Sequence, residues 1–193
     1  MTIQYRVQNG KGAFFKSLAV TAAMFGALGA IEAGLFSAQA DVTKKDILVA
    51  SRALNFIQNK PSGTVAAAIV FDPANPASKA SADAIAAIIG GGLKAGKISL
   101  TAKLVSVGDL GGLTGTKIAF VAEGMSAHFG AISSAATGAG IVVASTDVAC
   151  VRSGQCALGV ETSPKVQIYA SKSAASAAGV EFLPAFLMMV KEV

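Results

Sequence analysis

The sequence predicts an α/β domain of three layers, with a mostly parallel sheet and an antiparallel edge. Short apolar runs rich in Val, Ile, Ala and Phe alternate with amphipathic stretches over two β-α-β units. The last third departs from this rhythm, with two short runs joined by Thr162-Ser163-Pro164. A length of 193 residues suits a single domain that buries roughly two thirds of its unfolded surface. A composition that is 53% hydrophobic and 14% charged excludes a disordered chain or a coiled coil.

The first 40 residues read as a leader. Arg6, Lys11 and Lys16 stand without an acid in residues 1–16, and an apolar stretch follows over residues 18–31. That stretch is shorter than the ~20 residues that cross a bilayer, and Glu32 interrupts it. Ala38-Gln39-Ala40 sets small residues at positions −3 and −1 of a signal-peptidase site, so cleavage after Ala40 leaves a domain of residues 41–193. The alternative is an uncleaved anchor with Glu32 snorkelling to the interface. Both readings export residues 41–193. Without a twin-arginine pair the expected path is the general secretory route, into the periplasm. The leader holds three of the 16 Lys+Arg and one of the 11 Asp+Glu, which leaves 13 against 10 in the domain. Lysines are scattered singly apart from Lys44-Lys45, so a nucleic-acid partner is not expected.

Within the domain, residues 41–58 read as an amphipathic first helix. Its apolar face holds Ile47, Leu48, Leu54, Phe56 and Ile57, with Thr43 as a cap and Pro61 beyond its end. Residues 65–71 form a continuous apolar run, expected to be a buried strand. Asp72-Pro73-Ala74-Asn75-Pro76 is a turn in which Asn75 caps, and Pro76 opens, a helix to about Ile89. Gly90-Gly91-Gly92 ends it. Residues 98–107 read as a strand with one exposed face, carrying Ile98, Leu100, Ala102, Leu104 and Val105. A glycine-rich loop, residues 108–115, leads to a strand over residues 117–122. A helix over 126–137 and a strand over 141–144 follow. Residues 156–160 and 165–170 are two further strands, and a small-residue helix over 171–178 precedes an apolar end, residues 182–190.

Chemical motifs fail when read strictly. Gly91-Gly92-Leu93-Lys94-Ala95-Gly96-Lys97 matches GxxxxGK, but Ile98 stands where Ser or Thr would hold magnesium, and the segment leads from helix to strand. Gly108-Asp109-Leu110-Gly111-Gly112 lacks the GxGxxG spacing. No GxSxG elbow is present, and the lone His128 has no carboxylate near it in sequence. One histidine and two cysteines leave little for a metal site. Neither an enzyme nor a cofactor is expected. In an exported chain, Cys150 and Cys156 are expected to form a disulfide across a five-residue insert. A redox-exchange pair is the alternative.

The C-terminal third resembles the YfiR/HmsC-like periplasmic family. The resemblance runs through Gly154, Leu158-Gly159-Val160, Val166-Gln167-Ile168 and Ala174-Ala175-Ser176-Ala177-Ala178-Gly179-Val180 to the apolar end. Ile118-Ala119-Phe120-Val121 is similar to that family's central strand, and Phe56-Ile57 to the end of its first helix. The chain departs from the pattern where it lacks a tryptophan near the first helix end, has Ser171 for a common asparagine, and has Leu183-Pro184 for a serine pair. The resemblance implies a regulator, often dimeric, that represses a membrane-bound diguanylate cyclase or similar sensor by gripping its periplasmic domain. Cys150 and Cys156 would be the family's paired cysteines.

The segment from Val65 through Phe71-Asp72-Pro73-Ala74-Asn75-Pro76 also looks like the first lobe of a type I solute-binding protein, which implies a small-molecule ligand. In either case the binding surface is expected on loops at strand carboxyl ends. The candidate residues are Asp72, Asn75, Glu123, Met125 and, in the disulfide loop, Arg152.

Overall fold

A computed structural model describes residues 42–193. The leader and its cleavage site after Ala40 lie outside these residues. The first helix, α1 (Lys44–Ala53), opens with a reciprocal cap: the Asp46 N–H donates to Thr43 Oγ1, and the Thr43 N–H donates to Asp46 Oδ2 at 2.8 Å. It tightens into a 3-10 turn over Leu54–Phe56 and is shorter than its apolar pattern suggested.

Strand β1 (Gly63–Phe71) feeds α2 (Pro76–Ile89), which is capped by Asn75 as expected. A short strand that the sequence reading missed, β2 (Leu93–Ala95), occupies the GxxxxGK segment and precedes β3 (Ile98–Ser106). Next come β4 (Ile118–Val121), α3 (Phe129–Ala136) and β5 (Val142–Ser145). Another element without a sequence signal long enough to notice, α4 (Val148–Arg152), is capped by Asp147. The chain ends with β6 (Leu158–Glu161), β7 (Gln167–Ala170), α5 (Lys172–Ala177), α6 (Pro184–Leu187) and β8 (Lys191–Glu192).

The eight strands form one sheet in the order β2-β3-β1-β4-β5-β6-β7-β8. The central five, from β3 to β6, are parallel. β2 and β7 run antiparallel to their inner neighbours and make the two margins mixed, while β8 runs parallel to β7. The expected α/β class therefore holds, with two antiparallel pairings rather than one.

Register divides the core into two layers. Ile69, Phe120, Ala144 and Leu158 share one face, against which α1 and α2 pack. Ala68, Val70, Ala119, Val121 and Val143 face the other way and are equally buried. Every residue of β4 and β5 is buried, which is why these strands read as unbroken apolar runs. β3 departs from expectation. Ile98 and Leu100 are buried, but Ala102 and Leu104 on the same face are exposed.

Cys150 and Cys156 are joined by the disulfide, with Cα atoms 5.2 Å apart. Both sulfurs lie in the core at 0% exposure, out of reach of an attacking thiolate. Beside the bond, α4 meets β6 so closely that a Cβ on Gly159 would lie 2.7 Å from Val151 Cγ1.

Two outcomes follow. Cys150→Ala/Cys156→Ala should lower unfolding stability by about 2 kcal/mol, the loop-closure value for so short a ring. Gly159→Ala should destabilise by about 1–3 kcal/mol through overpacking, whereas Gly91→Ala, with nothing within 4 Å of the added carbon, should not. Urea denaturation checks both.

Candidate functional site

From β1 the chain crosses to β3 on one side, and β4 then pairs on the other. The connections leaving β1 and β4 thus part in opposite directions and leave a crevice between the strands' carboxyl ends. Open α/β sheets bind their ligands at such a point. Asp72 and Asn75 lie on one lip and Glu123 on the other, so three of the expected residues converge here.

The loop after β1 is held largely by its own side chains. Asp72 Oδ1 accepts from the Ala74 N–H at 2.9 Å, and Asn75 Oδ1 accepts from Ala77 and Ser78 N–H at 3.0 and 3.3 Å. The second lip is the turn after β4. Its Gly124 has φ +69°, and a Cβ there would sit 2.9 Å from Asn75 Nδ2. Only glycine lets the two lips approach this closely.

Two serines of α2 fasten the crevice, and the sequence reading passed over both. Ser78 Oγ accepts from the Asp72 N–H at 3.0 Å, and Ser81 Oγ accepts from the Glu123 N–H at 3.2 Å. Their signal was the three-residue spacing of Asn75, Ser78 and Ser81, which puts them along one side of a helix. Both serines are buried, so each hydroxyl serves a loop amide rather than solvent. His128, which has no carboxylate near it in sequence, comes to 3.8 Å from Asp72 Oδ2 in the fold.

A third loop leaves β5 along the same rim. Ser145 Oγ accepts from the Asp147 N–H at 3.0 Å, and Asp147 Oδ1 accepts from the Ala149 N–H at 2.9 Å. The rim therefore presents Asp72, Glu123 and Asp147, with backbone amides drawn inward by side-chain caps.

Met125 and Arg152 stand elsewhere. Met125 is 1% exposed and packs in the core, so its neighbours Gly124 and Ser126 meet solvent in its place. Arg152 lies over the Tyr169 ring, 5.4 Å from its centroid. Tyr169 also donates to Glu161 Oε2 at 3.0 Å, and Lys191 approaches the same ring. This second cluster belongs to the β6-β7-β8 margin.

A large concavity, about 990 Å³, opens at the opposite end of the strands. Ile57, Phe182 and Met188 line it, together with Lys117 and Lys172. Lys172 is paired with Glu192 at 2.9 Å. Phe186 closes the nearby apolar cluster, its ring 5.5 Å from Phe56 and 5.1 Å from Phe182.

Among the described residues no three His, Cys, Asp or Glu side chains form a group that could hold a metal ion, and no helix is long and apolar enough to cross a membrane. No family model matches the chain, and no curated protein matches it.

Ser81→Ala should lower stability by about 1 kcal/mol by orphaning the Glu123 N–H. Hydrogen exchange should quicken at Glu123 while the core of β1 stays protected.

Proposed function

We propose that this protein is an exported binding protein whose recognition face is the rim between the carboxyl ends of β1 and β4, and that it acts through contact rather than catalysis. One observation carries this reading: the crevice where β1 and β4 part is lined by loops that place Asp72, Asn75, Glu123 and His128 together. The Asp72 and Asn75 side chains are occupied in holding their own loop, and with Glu123 beside them this builds a shaped, acidic surface. A fixed surface of this kind suits a partner that brings its own donors and positive charge.

The buried disulfide supports export, since such bonds persist in oxidising compartments. The partner class we favour is the periplasmic domain of a membrane sensor or cyclase, which the protein would hold in its repressed state. This choice rests on the resemblance to YfiR/HmsC-like regulators. A single solute-binding lobe is the second reading, favoured by the crevice itself, where a small ligand would also lie.

Photocrosslinking in the native envelope tests this. A photoreactive residue at Ala74 or Ala127, both exposed on the rim, should capture a membrane protein with a periplasmic sensor domain. The same residue at Lys60 should not. Adding Asp72→Lys should reduce capture about tenfold, the equivalent of about 1.4 kcal/mol. Capture of a transport permease would favour the second reading, and equal capture from Lys60 would overturn the assignment of the rim.

A further inference from the structure

β2 covers only the beginning of β3. Leu93, Lys94 and Ala95 pair with Leu100, Ser99 and Ile98, so residues 101–106 have β1 on one side and, among the described residues, no strand on the other. The ladder with β1 fixes which backbone groups point outward. At its two ends the Val107 N–H donates to the Phe71 carbonyl at 2.8 Å, and the Lys97 carbonyl accepts from the Gly63 N–H at 3.2 Å. Odd-numbered residues of β3 therefore bond inward. Ala102 and Leu104 turn their N–H and C=O toward the open edge, as Ser106 turns its N–H, while the Ser106 carbonyl accepts from the Asp109 N–H at 2.9 Å.

Side chains along this stretch do little to protect it. Ala102 and Leu104 are exposed, Leu104 at 49%, on the face that α2 covers elsewhere. A lysine is a common device for blunting an edge strand. Here Lys103 bends back, its Nζ donating to the Thr114 carbonyl at 3.5 Å.

We propose that residues 101–106 are a self-pairing edge: two copies of this chain join antiparallel about a two-fold axis at Leu104, making one continuous sheet. The register follows from the outward groups. Only even-numbered residues can exchange bonds across the seam, a condition met by an axis on any residue: one at Lys103 sets two lysines opposite each other, and one at Val105 leaves only Leu104 and Ser106 of the strand to exchange bonds. An axis at Ala102 drives the second strand into β2, and one at Ser106 leaves a single pair. At Leu104 the axis sets Leu104 against Leu104 of the second copy and Ala102 against Ser106, the Leu104 pair exchanging two hydrogen bonds and each Ser106 N–H donating to the opposite Ala102 carbonyl.

Charge agrees with that register. Lys103 lies opposite Val105 rather than another Lys103. The turn bearing Asp109 of each copy is carried toward the other copy's β2, whose central residue is Lys94. Opposite charges thus flank the seam. Pairing uses the backbone of β3 and none of the rim side chains, so it does not depend on the proposed partner contact.

Leu104→Cys in the full chain, expressed into an oxidising compartment, tests the pairing. The sequence holds only two cysteines, already bonded to each other, so the new thiol has no partner within its own chain. Directly opposite residues in such a pair lie about 5.5 Å apart at Cα, within disulfide reach. L104C should run mostly as a reductant-sensitive dimer on a non-reducing gel. A102C should stay monomeric, because its mate lies four residues along the seam, roughly 13 Å away. No dimer with L104C, or equal dimer with both, would overturn the proposal, and association through residues outside the edge would not favour position 104.

Discussion

Burial of β4 and β5 on both faces is the constraint from which the rest of this structure follows. Neither strand has a polar side chain to offer water except Ser145, which turns inward to its own loop. Helices must therefore cover the sheet on both sides. Crossovers of one hand can supply both layers only if they leave β1 in two directions. The parting of β1 and β4 is the geometric consequence of that double cover, and the crevice at their carboxyl ends comes with it.

The crevice is shaped by helix α2 as much as by its loops. A helix packed on the sheet ordinarily shows small or apolar residues to it, and α2 does so with Ala82, Ile85 and Ile89. Its first turns instead bury Ser78 and Ser81, whose hydroxyls reach the amides of Asp72 and Glu123. Both lips of the crevice thus answer to one rigid element. The glycine at 124 and the amide of Asn75 then set how near the lips come. Buried polar groups satisfied in this way fix a single arrangement, which is what a preorganised contact surface requires.

Local signals carried much of this architecture. Residues 65–71 and the Asn75-Pro76 helix start were legible because an apolar run and a cap are readable without knowing their neighbours. Thr43 caps α1 for the same reason, while Ser171, read as the first residue of a helix, caps α5 instead. What stayed hidden depends on strand order. Leu104 alternates correctly with Leu100, yet β2 stops short and leaves it in solvent. Asp72 and Glu123 meet because β1 pairs with β4, a fact no window of sequence contains. Met125 and Arg152 show the opposite failure: both follow a strand closely, but one turns into the core and the other runs along α4 to Tyr169. α4 was missed because five residues hold too little periodicity, although its Asp147 cap was present.

Where partners touch this protein is the question on which the account turns. Amide hydrogen exchange of the purified protein, alone and with solubilised envelope from cells that export it, measures that directly. The account predicts new protection in residues 72–78 and 122–129, with residues 57–60 and 176–182 unchanged. Protection confined to 57–60 and 176–182, around the large concavity at the other end of the strands, would contradict it.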